Sequence, residues 1–190
     1  MTLGEQLGPL LPFLRRYASA LTGSYEAGDQ IVRLTLGKIT ENPASFPKNV
    51  TAKIGLYRAF DVVLESLPSI PVGRHPDSES SVRRQLSLMP VLPRKALLLR
   101  ALEQVTVEDT AYILGIDRVS AEAHIEDGVL RLNNPTGTTA IIAIRSVLET
   151  EHLKRIIKNT EHTIVDVVYS ADELVRSALR RTTRSNNMRN

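Results

Sequence analysis

Apolar residues recur at helical spacing along the first part of the chain. Across residues 3–21 they fall at i, i+3, i+4 and i+7, a pattern that predicts one amphipathic helix. Gly23 then supplies a left-handed C-cap, which only glycine adopts without steric cost. The same periodicity predicts helices over about 25–41 and 49–67, so residues 1–67 are expected to form a three-helix unit.

A second helical unit, residues 79–133, follows a linker at 68–78 that contains three prolines and a glycine. A short helix, a tight turn containing Gly115 and a longer helix are typical of a helix-turn-helix. The fold class is therefore mainly α over the first 133 residues. The helices of this unit are predicted at about 79–89, 95–104, 107–114 and 118–132.

The hydrophobic pattern changes after the turn-rich stretch 133–137. Short β-branched runs alternate with helical patterns and indicate a partial βαβα segment over 138–182, followed by a basic tail at 183–190. Two parallel strands and two helices cannot bury both faces of a sheet. The segment is expected to pack on the helical part, to form a homo-oligomer through its open edge, or to be partly disordered. Its elements are predicted at 139–144, 147–158, 163–168 and 170–181.

Composition narrows the function classes. The 190 residues are 42% hydrophobic, enough for a proper core, and include no cysteine, which excludes disulfides and thiolate metal sites. No stretch has the length of a membrane span and no export signal is present, so a cytoplasmic protein is expected. The four histidines are scattered, and no glycine-rich phosphate loop occurs. We therefore expect no enzyme, no cofactor and no metal.

The charge is unevenly distributed. The formal net charge is +3, but residues 176–190 contain five arginines and no acid, and the first 175 residues carry 19 basic and 21 acidic residues, a net of −2. Residues 105–132, which contain the helix-turn-helix, carry six acids and two bases. DNA binding depends on neutralising phosphates with basic side chains. This motif therefore has the shape of a DNA-binding motif, but its net negative charge opposes DNA binding.

Two stretches resemble the sigma factors of the extracytoplasmic-function (ECF) class. Residues 21–24 are similar to the start of their region 2, and residues 92–103 with 111–116 are similar to their region 4. Members of that class carry an Asp-Leu-Val-Gln-Glu-Thr block that contacts RNA polymerase, and here the block reads Gln-Ile-Val-Arg-Leu-Thr at 30–35. Their recognition helix is basic, and this one is acidic. The helical cores therefore persist while both functional surfaces are lost.

This combination resembles the PhyR-type general stress response regulators of alphaproteobacteria, in which a sigma-factor-like domain precedes a phosphoacceptor receiver domain. The resemblance covers about residues 1–182. It implies a region-2-like three-helix unit, a region-4-like helix-turn-helix unit, and a degenerate, truncated receiver. The residues that carry it lie at 11–18, 20–24, 56–58, 96–99, 101–103, 166–168 and 172–173.

The resemblance implies partner switching as the function. A sigma-like domain that mimics a sigma factor binds the anti-sigma factor NepR and so frees the sigma factor for stress transcription. Grooves for an anti-sigma helix can be kept while polymerase and DNA contacts decay. Each apolar candidate contact has the alternative interpretation of a core residue, and each arginine that of a solvated charge. The candidates are Phe13, Arg15, Arg16, Tyr17, Leu36, Tyr57, Arg100, Leu102, Tyr112, Ile116 and Ile125.

The receiver-like segment departs from the family. Its acidic metal-binding cluster falls on Ile144, Arg145 and Ser146, and a cation at the centre of that cluster excludes Mg²⁺. The strand that would carry the phosphoacceptor is not in the chain, so no phosphoacceptor is expected. We therefore expect binding of the anti-sigma factor to be constitutive.

Two alternative functions follow from the same residues. The chain could be a divergent DNA-binding ECF-type sigma factor or transcription regulator, which promoter binding with a steep salt dependence would reveal. It could also be a decayed protein that binds nothing, or that acts only as a partner for an unrelated regulator. The acidic recognition helix argues against the first alternative.

Overall fold

Helices account for the regular structure in the described part of the chain. The computed structural model describes residues 2–68, 81–132 and 141–150. Two short 3-10 turns, Gly8–Leu10 and Pro43–Ser45, connect some of the helices. The helices are α1 (Leu3–Leu7), α2 (Leu11–Thr22), α3 (Tyr25–Glu41), α4 (Ala52–Glu65), α5 (Ser81–Leu88), α6 (Val91–Ala101), α7 (Val107–Leu114), α8 (Arg118–Arg131) and α9 (141–150).

Most of the predicted helices match these bounds to within three residues, with one break and one shift. The helix predicted at 95–104 is α6, which ends at Ala101 and begins earlier, at Val91, because Pro93 lies in its first turn, where a backbone N–H has no helical partner. The helices expected at 25–41 and 107–114 are confirmed to the residue. The single helix predicted over 3–21 is wrong, because a 3-10 turn separates α1 from α2. Pro9 lies in that turn and has no backbone N–H to continue an α-helical ladder. The apolar periodicity continues across the break, so the pattern alone does not reveal it.

Side-chain caps set where the longer helices begin. Ser24 accepts a hydrogen bond from the backbone N–H of Ala27, and Asp117 accepts one from that of Ser120. Each cap of this kind contributes about 1 kcal/mol. Gly23 (φ 71°) and Gly115 (φ 65°) end α2 and α7 in the left-handed conformation, which confirms the predicted C-cap at Gly23.

The core is centred on α6. Its residues 96–99 are fully buried, as expected for a run too apolar for a surface helix, and α6 packs against α2, α7 and α8. Residues Met1–Leu148 form one compact unit, which we call the helical body. Both predicted helical units, 1–67 and 79–133, lie within it.

The α2–α3 pair packs at very short range around Gly28. A Cβ at this position would lie 2.7 Å from the backbone nitrogen of Ser19, closer than real Cβ contacts allow. The neighbouring atoms are backbone, so the helices themselves would have to separate. Glycine is therefore required for this packing.

Gly28→Ala is expected to destabilise the chain by about 1–3 kcal/mol, because overpacking forces the two helices apart. Gly37→Ala, in the same helix, is the matched control: its Cβ would enter open space, so only the gain in helix propensity, about 1 kcal/mol or less, is expected. Urea unfolding of both variants measures the difference. Equal stabilities of the two variants would contradict this account of α2–α3 packing.

The strand predicted at 139–144 is wrong in its described part, because residues 141–150 form α9. Ile144 and Leu148, four residues apart on one helix face, are buried in the core, whereas Ile142 is exposed. β-branching lowers helix propensity only slightly, and burial of a helical stripe outweighs it. The helix predicted at 147–158 is helical over 147–150. Residues 139–140 and 151–158, and the predicted elements at 163–168 and 170–181, lie outside the described residues.

Candidate partner-binding surface

The first turn of α2 carries an exposed aromatic ring, that of Phe13, which lies against the guanidinium group of Arg16. Phe13 is 47% exposed, and the guanidinium carbon of Arg16 lies 5.4 Å from the centre of its ring. An Nη atom of Arg16 donates to the carbonyl oxygen of Leu102 at 3.0 Å and to Oε1 of Glu103 at 3.1 Å. A large aromatic side chain held on a fixed cation is typical of residues that anchor protein interfaces.

Arg15 takes part in a surface ion-pair network between α2 and α3. Its Nε lies 2.8 Å from Oδ1 of Asp29, and Arg33 contacts the other carboxylate oxygen at 2.7 Å. All three side chains remain accessible to solvent, so the network contributes little to stability. Arg15 and Arg33 are therefore available to a partner at small cost.

Three of the predicted contacts lie in the core instead of on a surface. Tyr17 packs edge to face on Tyr57 and on Phe60, with ring centres 5.4 Å and 5.8 Å apart, and Leu102 is buried as well. Burial, with a smaller contribution from nearby Glu103, raises the pKa of Tyr57 well above its usual value. Tyr17, Tyr57 and Leu102 are therefore core residues, which was the alternative interpretation given for them above.

The remaining candidates lie at the edge of the core. Leu36, Ile116 and Ile125 are half-buried and pack against it, and Tyr112 is exposed on α7. Arg100 donates to the carbonyl oxygen of Val105 in the loop after α6. These residues come from α3, α6, α7 and α8 and from the turn between α7 and α8, which contains Ile116.

Basic side chains join the two predicted helical units, which the sequence analysis missed. Lys95 on α6 pairs with Asp61 on α4 at 2.6 Å, and both side chains are buried. Contacts with backbone oxygens across the units include Arg58 to Ile113 (3.0 Å), Lys53 to Glu103 (2.6 Å) and Arg94 to Leu21 (3.1 Å). The sequence offered one indication of these contacts, because Lys95 directly precedes the fully apolar run 96–99 and a buried charge there needs a partner.

The residues expected at the degenerate metal site lie in α9. The Nε and Nη atoms of Arg145 each donate to the carbonyl oxygen of Ala101 at 3.2 Å. This places a cation on the C-terminal end of α6, where the helix dipole favours it. Ile144 lies in the core beside it. In the structure Arg145 therefore caps a helix of the helical body.

Within the described residues, none of the helices has the length and apolar character needed to cross a membrane.

Comparisons with known proteins identify the helical body. Residues 7–61 match the family model for the Sigma2 domain of PhyR, and residues 86–129 match that for the sigma-like domain of the response regulator PhyR. The two matches fall within the two predicted helical units. The chain is also 30% identical over 171 residues to the phyllosphere-induced regulator PhyR of Methylorubrum extorquens, which covers 88% of this chain. It spans 63% of the length of that relative.

Solved structures give the same result. The PhyR sigma-like domain of Sphingomonas sp. Fr1, determined as a complex with NepR, is 38% identical, with a TM-score of 0.61, over 70% of this chain and 88% of that one. The sigma factor RpoE of Bartonella quintana, solved with the anti-sigma factor NepR, shares the fold at 20% identity, with a TM-score of 0.54, over 67% of this chain and 92% of that one. The sequence, the helical body and both sets of relatives agree: this chain belongs to the PhyR family of response regulators.

Proposed function

We propose that the chain is an anti-anti-sigma protein. Its helical body imitates an ECF sigma factor, binds a NepR-like anti-sigma factor, and so releases the sigma factor for general stress transcription. The observation that carries the proposal is the match, at 38% identity, to a PhyR sigma-like domain whose structure contains NepR. The fold that the chain shares with a NepR-bound sigma factor agrees with mimicry.

The helical body has features that suit this role. The buried ion pair between Lys95 and Asp61 and the contact of Arg58 with Ile113 hold the two helical units together. A partner would therefore meet a preformed surface and would not have to order it on binding, which lowers the cost of association. We assign Phe13 with Arg16 as the central anchor of that surface. The outer contacts are assigned to Arg15, Leu36, Arg100, Tyr112, Ile116 and Ile125.

The chain then acts by binding a protein partner and catalyses no reaction. It acts in the cytoplasm, where RNA polymerase and its sigma factors are found. Binding is proposed to be independent of phosphorylation. The support for this point is the sequence, which aligns Arg145 with the acids that hold Mg²⁺ in a receiver, together with the contact of its guanidinium with the carbonyl oxygen of Ala101. A phosphoryl donor such as acetyl phosphate is therefore expected to leave the affinity unchanged.

Calorimetric titration of the full chain with the NepR-like protein of the same organism tests the proposal. We expect a one-to-one complex with a Kd of about 1 μM or tighter. Phe13→Ser is expected to weaken binding about tenfold or more, because it removes the aromatic anchor. Leu88→Ser, a change at an exposed apolar residue on α5, is the matched control and should bind like the wild type. Absence of heat and of co-elution for the wild-type chain would refute the proposed function.

The alternative to this proposal is a divergent DNA-binding ECF-type sigma factor, which would use the helix-turn-helix formed by α7, Gly115 and α8. Phosphate contacts would then give an affinity for promoter DNA that falls steeply with salt. Glu122 and Glu126 are exposed on α8, the helix that would enter the major groove, and they oppose such binding. Promoter binding above the non-specific level would favour this candidate over the first.

A further inference from the structure

The solvent-facing side of α8 carries a stripe of aliphatic and acidic side chains. Its positions follow i, i+3, i+4, i+7 and i+11, so they lie on one face of the helix, opposite buried Ala121 and Gly128. The two aliphatic ends, Val119 and Leu130, are 75% and 72% exposed. We call this stripe the α8 face, and it consists of Val119, Glu122, Ala123, Glu126 and Leu130.

Each of the other acids of the helix-turn-helix has a partner within the chain. Glu108 pairs with Arg118 on the next helix, and Asp127 pairs with Arg131 one turn away. Asp109 interacts with the N-cap residue of α7, and Asp117 is itself the N-cap of α8. These four acids therefore have a structural role. Of the six acids in the motif, Glu122 and Glu126 remain to be explained.

Glu122 and Glu126 have no side-chain hydrogen bond or ion pair with any residue that the structure describes. They are four residues apart on α8, where two like charges destabilise a helix by about 0.2–0.5 kcal/mol. Aliphatic side chains as exposed as Val119 and Leu130 add nothing to the stability of the chain on its own. The like charges of the α8 face are thus unfavourable for the isolated protein, and its exposed aliphatic side chains bring no compensating stability.

We infer that the α8 face binds a basic amphipathic helix of the anti-sigma partner, a conclusion that rests on the proposed function. Charge complementarity requires Lys or Arg on that helix, spaced to meet Glu122 and Glu126. The exposed aliphatic residues at the two ends require apolar side chains on either side of those bases, as in helix-on-helix recognition. The same acids reject DNA, so one face both selects the partner and excludes nucleic acid.

Charge reversal tests the inference in the full chain. The variants Glu126→Lys and Glu122→Lys are titrated with the NepR-like protein at low and at high salt. Each is expected to weaken binding about tenfold or more at low salt, because a like charge then faces the partner helix. The wild-type affinity is expected to fall as salt rises, and the affinity of Glu122→Gln/Glu126→Gln should fall less steeply with salt than that of the wild type. The matched control is Glu41→Lys, which makes the same charge change at an exposed residue at the end of α3 and should bind like the wild type.

The outcomes separate this inference from the proposed function. If the wild-type chain binds and Glu126→Lys binds as well as Glu41→Lys does, the inference is refuted and the proposed function stands. If the wild-type chain does not bind, both are refuted. Val119→Ser/Leu130→Ser examines the aliphatic ends. If it removes a dimer in sedimentation and leaves the partner affinity intact, the face belongs to a second copy of the chain and the inference is likewise overturned.

Discussion

Replacement of Lys95 by alanine is expected to cost about 3–5 kcal/mol of stability, because it leaves a buried carboxylate without its cation. The Nζ atom of Lys95 lies 2.6 Å from Oδ1 of Asp61 and 3.6 Å from Oε1 of Glu65. The side chains of Lys95 and Asp61 are only 3% and 2% exposed, so water cannot take the place of the missing charge. The pair joins α6 to α4 and hence the two helical units to each other.

The pH dependence of this variant gives a second readout. Burial already raises the pKa of Asp61 above its usual value, although Lys95 opposes the shift. A carboxyl group whose pKa is higher in the native state than in the unfolded chain binds its proton more tightly in the native state. Its contribution to the free energy of unfolding therefore falls as the pH rises above the pKa that the group has in the unfolded chain. Without Lys95 the pKa of Asp61 rises further. The loss is therefore expected to be largest at pH 7 and smaller at pH 5.

Urea unfolding at the two pH values measures both effects. Lys95→Met/Asp61→Asn is expected to recover most of the loss, because neither partner then carries a buried charge. The control is Lys38→Ala, which removes an exposed lysine from α3 and should change stability by about 0.5 kcal/mol or less. If Lys95→Ala were as stable as Lys38→Ala, the buried pair would not hold the units together.

Much of the helical body follows from the sequence because its determinants are local. Ser24, Gly23 and Gly115 place helix ends through hydrogen bonds and backbone conformations that involve residues close by in the chain. The apolar run at 96–99 exceeds what a surface helix carries and so indicates the central helix. Pro9 shows the limit, because a break in a helix need not interrupt the hydrophobic stripe.

The residues that join the units depend on distant partners, and no pattern along the chain pairs them. Lys95 and Asp61 are 34 positions apart, and Arg16 and Glu103 are 87 apart. In α9 the pattern of β-branched residues is compatible with a strand or with a helix. The helix is favoured because it buries Ile144 and Leu148 on one face, which the sequence pattern alone does not show.

For the candidate contacts, the sequence indicated the types of residue, but it did not indicate which of them are exposed. Residue type identified large aromatic and basic side chains as contacts, and Phe13 and Tyr112 are exposed as this required. Tyr17 and Tyr57 are aromatic as well, but they are buried in the core. Tyr17 is four positions from Phe13 and so lies on the same side of α2, which means that helix periodicity does not explain the difference in burial. Only the packing of α2 on α4 and α6 separates the two groups.

Glu103 connects the core to this surface, and its replacement by alanine is expected to destabilise the chain by about 3–5 kcal/mol. Its side chain is 1% exposed. One carboxylate oxygen accepts from Arg16 at 3.1 Å and the other lies 3.5 Å from Nζ of Lys53. Without it the largely buried guanidinium of Arg16 loses the carboxylate that balances its charge, although it still donates to the carbonyl oxygen of Leu102. The ring of Phe13, which stacks on that guanidinium, then loses its fixed support.

Thermal unfolding and a tyrosine titration together test this role. A loss of 3–5 kcal/mol corresponds to a fall in Tm of about 10 °C for a chain of this size. Glu103→Gln retains a hydrogen-bond acceptor and is expected to cost less, about 1–2 kcal/mol. Because Glu103 contributes to the raised pKa of Tyr57, the phenol should titrate at lower pH in Glu103→Ala than in the wild type, while burial keeps it above its usual value. Exposed Glu122→Ala is the control and should alter neither readout. An unchanged Tm and an unchanged tyrosine titration for Glu103→Ala would show that Arg16 and Phe13 are held by other contacts.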